Sequence, residues 1–313
     1  MREYPTLGET LTVGVARFGT VTRAQTRISR NLLIIGVLAA LAAPSPGEAK
    51  RRRAKVPDLT PEGLPNIRSR AAFVVDLATG ELVFAKNPDE EREIASTGKI
   101  FVALAVLERD LDLEAMTTII DADRVAAKGG ARSRLAVDWR FSNRDLLAAM
   151  LIGSDNRAAT ALGRAVGLSP DELTEAMADI ASDLGLEKTS FSDPSGLKGN
   201  FSTAREMATA MAAAIENPVI AELMAQKSYE VPLSRPIRRQ RKLMYYNTNQ
   251  LLHTGRGVVA GKTGFTTKAG YCLILAANLE EKNLAAVFLG ADGRKTRFAD
   301  FRRLQRWMST QTE

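Results

Sequence analysis

Three short stretches carry residue types able to do acyl-transfer chemistry: Ser96-Thr97-Gly98-Lys99, Ser154-Asp155-Asn156 and Lys262-Thr263-Gly264. A serine at the start of a helix has the residue three positions on, one turn away, on the same face. The Lys99 amine would then reach the Ser96 hydroxyl, and burial would lower its pKa so that the neutral amine can accept the serine proton. In the second stretch the Ser154 hydroxyl can relay a proton to a leaving group. The Asn156 amide can grip a substrate carbonyl or the lysine. In the third, the Lys262 ammonium and Thr263 hydroxyl can bind a carboxylate, and Gly264 lets a substrate backbone come close. Each stretch alone also fits a plainer reading: a capping serine with a surface lysine, an inter-helix turn rich in favoured cap residues, or a hairpin turn with incidental charge.

Composition narrows the chemistry. The chain has 313 residues, one histidine (His253) and one cysteine (Cys272). A lone cysteine excludes an intramolecular disulfide and a Cys-rich zinc site, and a lone histidine excludes His-rich metal sites. No metal or other cofactor is therefore expected, and a nucleophilic hydrolase here must use a base other than histidine. His253 reads as structural and Cys272 as a small buried hydrophobe in a strand. Hydrophobic residues make up 45% and charged residues 25%, the balance of a globular protein. A net charge of +7 suits an anionic partner such as a cell wall, and on charge alone it suits nucleic acid equally. No basic–aromatic module supports a nucleic-acid role. The basic run Arg235, Arg238, Arg239, Arg241, Lys242 reads as a solvated face.

The elements that must position these residues follow from periodicity. Residues 72–77 and 82–85 flank Ala78-Thr79-Gly80 as a hairpin. An apolar, helix-compatible run follows Ser96 through Leu107. Ser142 is a plausible N-cap for a helix over 145–152, and helical spacing continues over 156–166, 170–184 and 204–215. Strands are expected at 258–261, 269–278 and 284–289, with a last helix over 297–308. This order implies an α+β fold in which the first hairpin joins the late strands in one antiparallel sheet, with the final helix on its face.

Ahead of the folded part, Arg27 and Arg30 precede a 12-residue apolar run, Leu32 to Ala43. That is too short to span a bilayer, which needs about 20 residues, and has the length of a signal-peptide core. Residues 1–49 read as a signal peptide whose true start lies downstream of Met1, residues 50–65 as a linker, and 66–313 as the catalytic domain. Export to the periplasm, or the wall side of the cytoplasmic membrane, is the expectation, with no stable membrane anchor after cleavage.

The three stretches occur in the order of the Ser-x-x-Lys, Ser-Asp-Asn and Lys-Thr-Gly set of class A β-lactamases and penicillin-binding proteins. With Ile94-Ala95, Asp193-Pro194-Ser195-Gly196-Leu197, Asn247-Thr248-Asn249 and Gly261-Lys262-Thr263-Gly264-Phe265-Thr266, the sequence resembles the low-molecular-mass penicillin-binding proteins, the D-alanyl-D-alanine carboxypeptidase and endopeptidase family. The resemblance implies a β-lactamase/transpeptidase-like fold, an antiparallel sheet with flanking helices plus a helical subdomain. It implies Ser96 as nucleophile, Lys99 as base and Ser154 as proton shuttle. Asn156 would position the substrate. Lys262, Thr263 and Gly264 would meet its carboxylate end, and the N–H groups of Ser96 and Phe265 would form the oxyanion hole. Whether Lys99 or a Ser154–Lys262 pair is the dominant base stays open. Gly98 departs from the family, which more often has a larger residue there.

Peptidoglycan stem peptides are the implied substrates and β-lactams the implied covalent inhibitors. A class A β-lactamase would carry a Glu-x-x-Leu-Asn loop between the second and third stretches, and none is found. With 49 residues after Gly264, the sequence resembles the shorter endopeptidases that cleave D-Ala–diaminopimelate cross-links. A carboxypeptidase is the alternative, and a β-lactam sensor module the non-enzymatic one.

Overall fold

The late apolar runs and the first hairpin meet in one sheet. The computed structural model describes residues 57–237 and 240–311. Strands Ala71–Asp76, Leu82–Lys86, Val258–Thr266, Gly270–Leu279 and Lys282–Ala291 pair antiparallel. Leu82–Lys86 lies at one edge, followed by Ala71–Asp76, Lys282–Ala291 and Gly270–Leu279, with Val258–Thr266 at the other edge. The first and last strands of the sheet pair in its middle, where Phe73 stands opposite Val287.

These strands read as continuous apolar runs because both faces of the sheet are covered. Side chains alternate across a strand. Ile274, Ala276, Ala285 and Val287 enter one core, while Leu273, Leu275, Ala286 and Phe288 enter another. The second core is closed by the C-terminal helix Thr296–Ser309, whose Phe298, Phe301, Leu304 and Met308 recur at helical spacing. Asp300 on that helix fastens the start of the sheet. Its carboxylate accepts the N–H groups of Arg68 (3.0 Å) and Ser69 (2.7 Å) and pairs with Arg303 (2.8 Å).

The first core is the helical part. Helix Lys99–Leu107 is buried all round from Lys99 to Val106, as its unbroken apolar sequence requires. Helices Asn143–Leu151, Asn156–Ala165, Pro170–Asp183, Ala204–Glu216 and Pro218–Ala225 contribute to that core. Their starts are fixed by side chains. Ser142 accepts the N–H of Asp145 at 3.1 Å, Asp155 that of Arg157, and Ser169 forms a capping box with Glu172. The α+β class and the antiparallel sheet with flanking helices are as expected.

Differences fall at boundaries and in short elements. Helices begin at Asn143 and Thr296, and the strand expected over 258–261 runs on to Thr266, taking Lys262-Thr263-Gly264 into the sheet. A two-stranded ribbon, Ser228–Ile237 with Gln240–Tyr246, was not anticipated. Two prolines, Pro232 and Pro236, break its sequence signal, since proline cannot donate to a ladder. Residues 1–49, read as a signal peptide, lie outside the described residues, as do 50–56 of the expected linker and Arg238 and Arg239. From Pro57 onward the expected linker is ordered against the fold, with Asp58 pairing Arg306 at 2.7 Å. Among the described residues, no helix is long and apolar enough to cross a membrane.

Candidate active site

Ser96 sits in a 3₁₀ turn, Ala95–Gly98, with Lys99 as the first residue of the α-helix behind it. The expected arrangement, serine and lysine one turn apart on one face, is met by this tighter turn. Ala95 holds φ at +49°, a left-handed value costly for a residue with a Cβ. Two segments hold the turn in place. A Cβ added at Gly264 would lie 2.9 Å from the Ile94 carbonyl and 3.0 Å from the Ser96 nitrogen. One added at Gly196, where φ is +79°, would lie 2.3 Å from the Ala95 carbonyl oxygen. Only glycine allows strand and loop to press this close. At Gly98 a Cβ would meet its neighbours at 3.4 Å or more, ordinary contact, so space does not require glycine there.

The side chains of the three stretches converge. Lys99 Nζ donates to Ser96 Oγ at 3.1 Å, to the Ser154 carbonyl at 3.0 Å, to Ser154 Oγ at 3.4 Å, and to Asn156 Oδ1. Lys262 Nζ donates to Ser154 Oγ at 2.9 Å and to the Thr263 carbonyl at 2.9 Å. Ser96 Oγ itself donates to the Ser195 carbonyl at 3.2 Å. Ser154 has φ +60°, so its side chain is presented from a left-handed position between two helices. A continuous hydrogen-bonded line therefore runs Ser96–Lys99–Ser154–Lys262.

Burial sets the electrostatics. Lys99 and Lys262 are both fully buried. Burial brings the Lys99 amine down to about 8, with Asp155 and Asp193 opposing the fall. Lys262 is pushed well below its usual range by burial, and by the neighbouring charges of Lys99 and Arg297. Neither acid reaches the serine. Asp193 is occupied by the N–H groups of Ser195, Leu197 and Lys198, at 2.9 to 3.0 Å. Asp155 accepts from Ser133 Oγ, Arg134 N, Arg157 N and the Tyr245 hydroxyl.

These groups open onto a cleft of about 700 Å³ lined by Ser96, Ser154, Asn156, Thr263, Gly264 and Phe265. Thr263 Oγ1 donates to Thr248 Oγ1 at 2.8 Å, which ties the strand to the Asn247-Thr248-Asn249 segment. Phe265 is about half exposed at the mouth and stacks on Tyr271, ring centroids 4.2 Å apart. All eight residues singled out from sequence therefore gather around the same cleft, with Lys99 and Lys262 behind its wall.

Three further residues shape the cleft. Arg297, at the start of the C-terminal helix, lines the cleft, donates to the Gly264 carbonyl at 2.9 Å and lies 5.1 Å over the Tyr271 ring. Burial lowers its guanidinium to about 10. Tyr245 reaches Asp155 from the ribbon at 3.0 Å and packs so tightly on Gly153 that a Cβ there would lie 2.1 Å from its ring. Gly196 had been noted only as part of a motif. None has a local signal, because each acts through a contact between segments distant in the chain. Cys272 is fully buried, its thiol pushed up to about 11, while His253 is exposed in the short helix Gln250–Thr254. No group of three His, Cys, Asp or Glu able to hold a metal occurs among the described residues.

Known proteins resemble this chain in sequence and fold. The D-alanyl-D-alanine endopeptidase of Escherichia coli K12 is 33% identical over 259 residues, 82% of each chain. That of Pseudomonas aeruginosa is 32% identical, covering 79% of this chain and 80% of its own. The crystal structure of the Streptomyces K15 DD-transpeptidase superposes with a TM-score of 0.72 at 27% identity, covering 79% of this chain and 98% of that one. Residues 58–293 match the family described as D-alanyl-D-alanine carboxypeptidase. With sheet, helical part and cleft in place over that whole span, the chain belongs to this family of serine peptidases.

Proposed function

We propose that the protein is a DD-endopeptidase of peptidoglycan, hydrolysing the D-Ala–diaminopimelate amide of cross-linked stem peptides through an acyl-enzyme on Ser96. The observation that carries this reading is the buried line Ser96–Lys99–Ser154–Lys262 opening onto one cleft. Lys99 is the base, because its amine touches Ser96 Oγ and is neutral in a useful fraction near pH 8. As Ser96 Oγ bonds to the D-Ala carbonyl carbon, its proton passes to Lys99. The negative oxygen that develops faces the N–H groups of Ser96 and Phe265, donors whose removal in such sites costs several kcal/mol. Collapse breaks the amide, and the proton moves through Ser154 Oγ to the departing diaminopimelate amine. Water then releases the acyl group and restores Ser96.

Substrate orientation rests on Lys262, Thr263, Gly264 and Asn156, with the Arg297 guanidinium adding positive charge where a carboxylate would lie. Both nearby acids are engaged elsewhere, which supports slow release of a β-lactam acyl group rather than β-lactamase turnover. β-Lactams are then covalent inhibitors, and the site of action is the wall side of the membrane. The endopeptidase reading is supported by relatives bearing that name that match over about four fifths of both lengths. The family description supports a carboxypeptidase as the second reading.

Purified protein incubated with cross-linked muropeptide dimers and with pentapeptide monomers separates the two. Dimers converted to monomers support the endopeptidase. Release of terminal D-Ala alone moves the assignment to carboxypeptidase.

A further inference from the structure

Beside the catalytic cleft lies a second cavity of about 500 Å³, and Phe265 and Thr267 line both. Its wall carries Arg70, Arg92 and Lys268 against a single acid, Asp292. Arg70 and Lys268 are exposed. Arg92 is held from below. Its guanidinium lies over Gly290, where an added Cβ would sit 2.9 Å from Nε and Nη2. Nη1 pairs with Glu90, while Nε is buried and without a hydrogen-bond partner. Phe265, stacked on Tyr271, forms the boundary shared with the cleft. A cationic hollow thus continues the substrate channel past the residue that caps its mouth, and Ser96, Lys99, Ser154 and Lys262 do not line it.

The chemistry of the two candidate substrates differs at this place. A pentapeptide ends at the terminal D-Ala carboxylate, which the cleft itself can hold. A cross-link continues beyond the scissile amide into a second stem, and that stem bears further free carboxylates. We infer that the Arg70–Arg92–Lys268 cavity binds a carboxylate of this second, leaving stem and so favours cross-linked over monomeric substrate. The inference rests on the endopeptidase reading and names the part of the substrate that the second cavity takes. Complementary charge at such an exposed site acts on encounter and orientation of the substrate, and it weakens with salt.

The test uses the full chain and the double charge reversal Arg70→Glu with Lys268→Glu, both side chains exposed and outside the catalytic line. Three substrates are compared: a cross-linked dimer, the same dimer with the carboxylates of its leaving stem amidated except the one beside the scissile amide, and a fluorescent penicillin, which has no second stem. Dimer splitting by wild type reports on the endopeptidase reading itself, and its absence overturns that reading and this one together. Where wild type splits dimers, reversal should lower kcat/KM on the unmodified dimer by about tenfold, the sum expected when two weak attractions become repulsions. Penicillin acylation should stay within about twofold, the scatter expected of surface substitutions, and shows that the variant is folded. Wild type and variant should cut the amidated dimer equally well. An unmodified dimer cut equally by both proteins overturns the inference. So does a loss that persists on the amidated dimer, because the carboxylate would then not be what the cavity reads.

Discussion

Tyr245→Phe removes a single oxygen atom and tests whether the ribbon positions the catalytic loop. The Tyr245 hydroxyl donates to Asp155 Oδ2 at 3.0 Å, and the ring packs on Gly153. Burial and the Asp155 charge raise its pKa, which keeps it a donor. Asp155 is buried, caps helix Asn156–Ala165 and adjoins Ser154, whose left-handed backbone presents its hydroxyl to both lysines. A hydrogen bond to a charged buried group contributes about 1.5–3 kcal/mol, and phenylalanine leaves the packing intact. At about 2–4 °C per kcal/mol for a domain of this size, the melting temperature should fall by about 3–12 °C. The loosened loop should slow penicillin acylation several-fold. Thermal unfolding by circular dichroism and stopped-flow acylation measure the two effects. Tyr246→Phe, at an exposed neighbour, serves as the comparison and should change stability by less than about 0.5 kcal/mol. If Tyr245→Phe matches Tyr246→Phe in both assays, the positioning argument is wrong.

Two other outcomes follow from the same geometry. Acylation by a β-lactam should rise with pH through about 8, because the Lys99 amine must lose its proton before it can accept one from Ser96. Lys99→Arg keeps a permanent positive charge and should cost at least about a hundredfold in acylation rate, with no rising limb near pH 8. Gly196→Ala places a Cβ 2.3 Å from the Ala95 carbonyl oxygen at φ +79°, so the nucleophile turn must shift. Penicillin labelling should then fall steeply while far-ultraviolet circular dichroism keeps its native form. Full labelling by this variant would mean that the loop does not set the position of Ser96.

How far the site was legible in the sequence depends on the range of the interaction. Ser142 as a cap, the apolar helix after Ser96 and the alternating cores of the late strands are local signals, and the structure follows them. The motifs pointed to residues that the structure brings together at one cleft, because their types and order are specific. The turn at Ser96 was less visible. Left-handed values at Ala95 and Ser154 carry no mark in residues that usually avoid them. The turn at Ala95 is held by Gly264 and Gly196 pressing from far along the chain. The ribbon that delivers Tyr245 was hidden by its prolines and basic residues, which suggest an exposed loop. Arg297 looked like one of several arginines in a polar helix. Only the sheet's edge strand, whose Gly264 carbonyl accepts its hydrogen bond, gives it a place in the cleft.

The most direct test of the account is to trap the acyl-enzyme. Wild type and Ser96→Ala would be incubated briefly with benzylpenicillin at about pH 8, near the Lys99 value. Both would then be quenched in acid, weighed intact and digested to locate the adduct. The account predicts that wild type gains the mass of one whole penicillin on the peptide containing Ser96, and that Ser96→Ala gains none. An adduct on any other residue, or equal labelling of the two proteins, would contradict it.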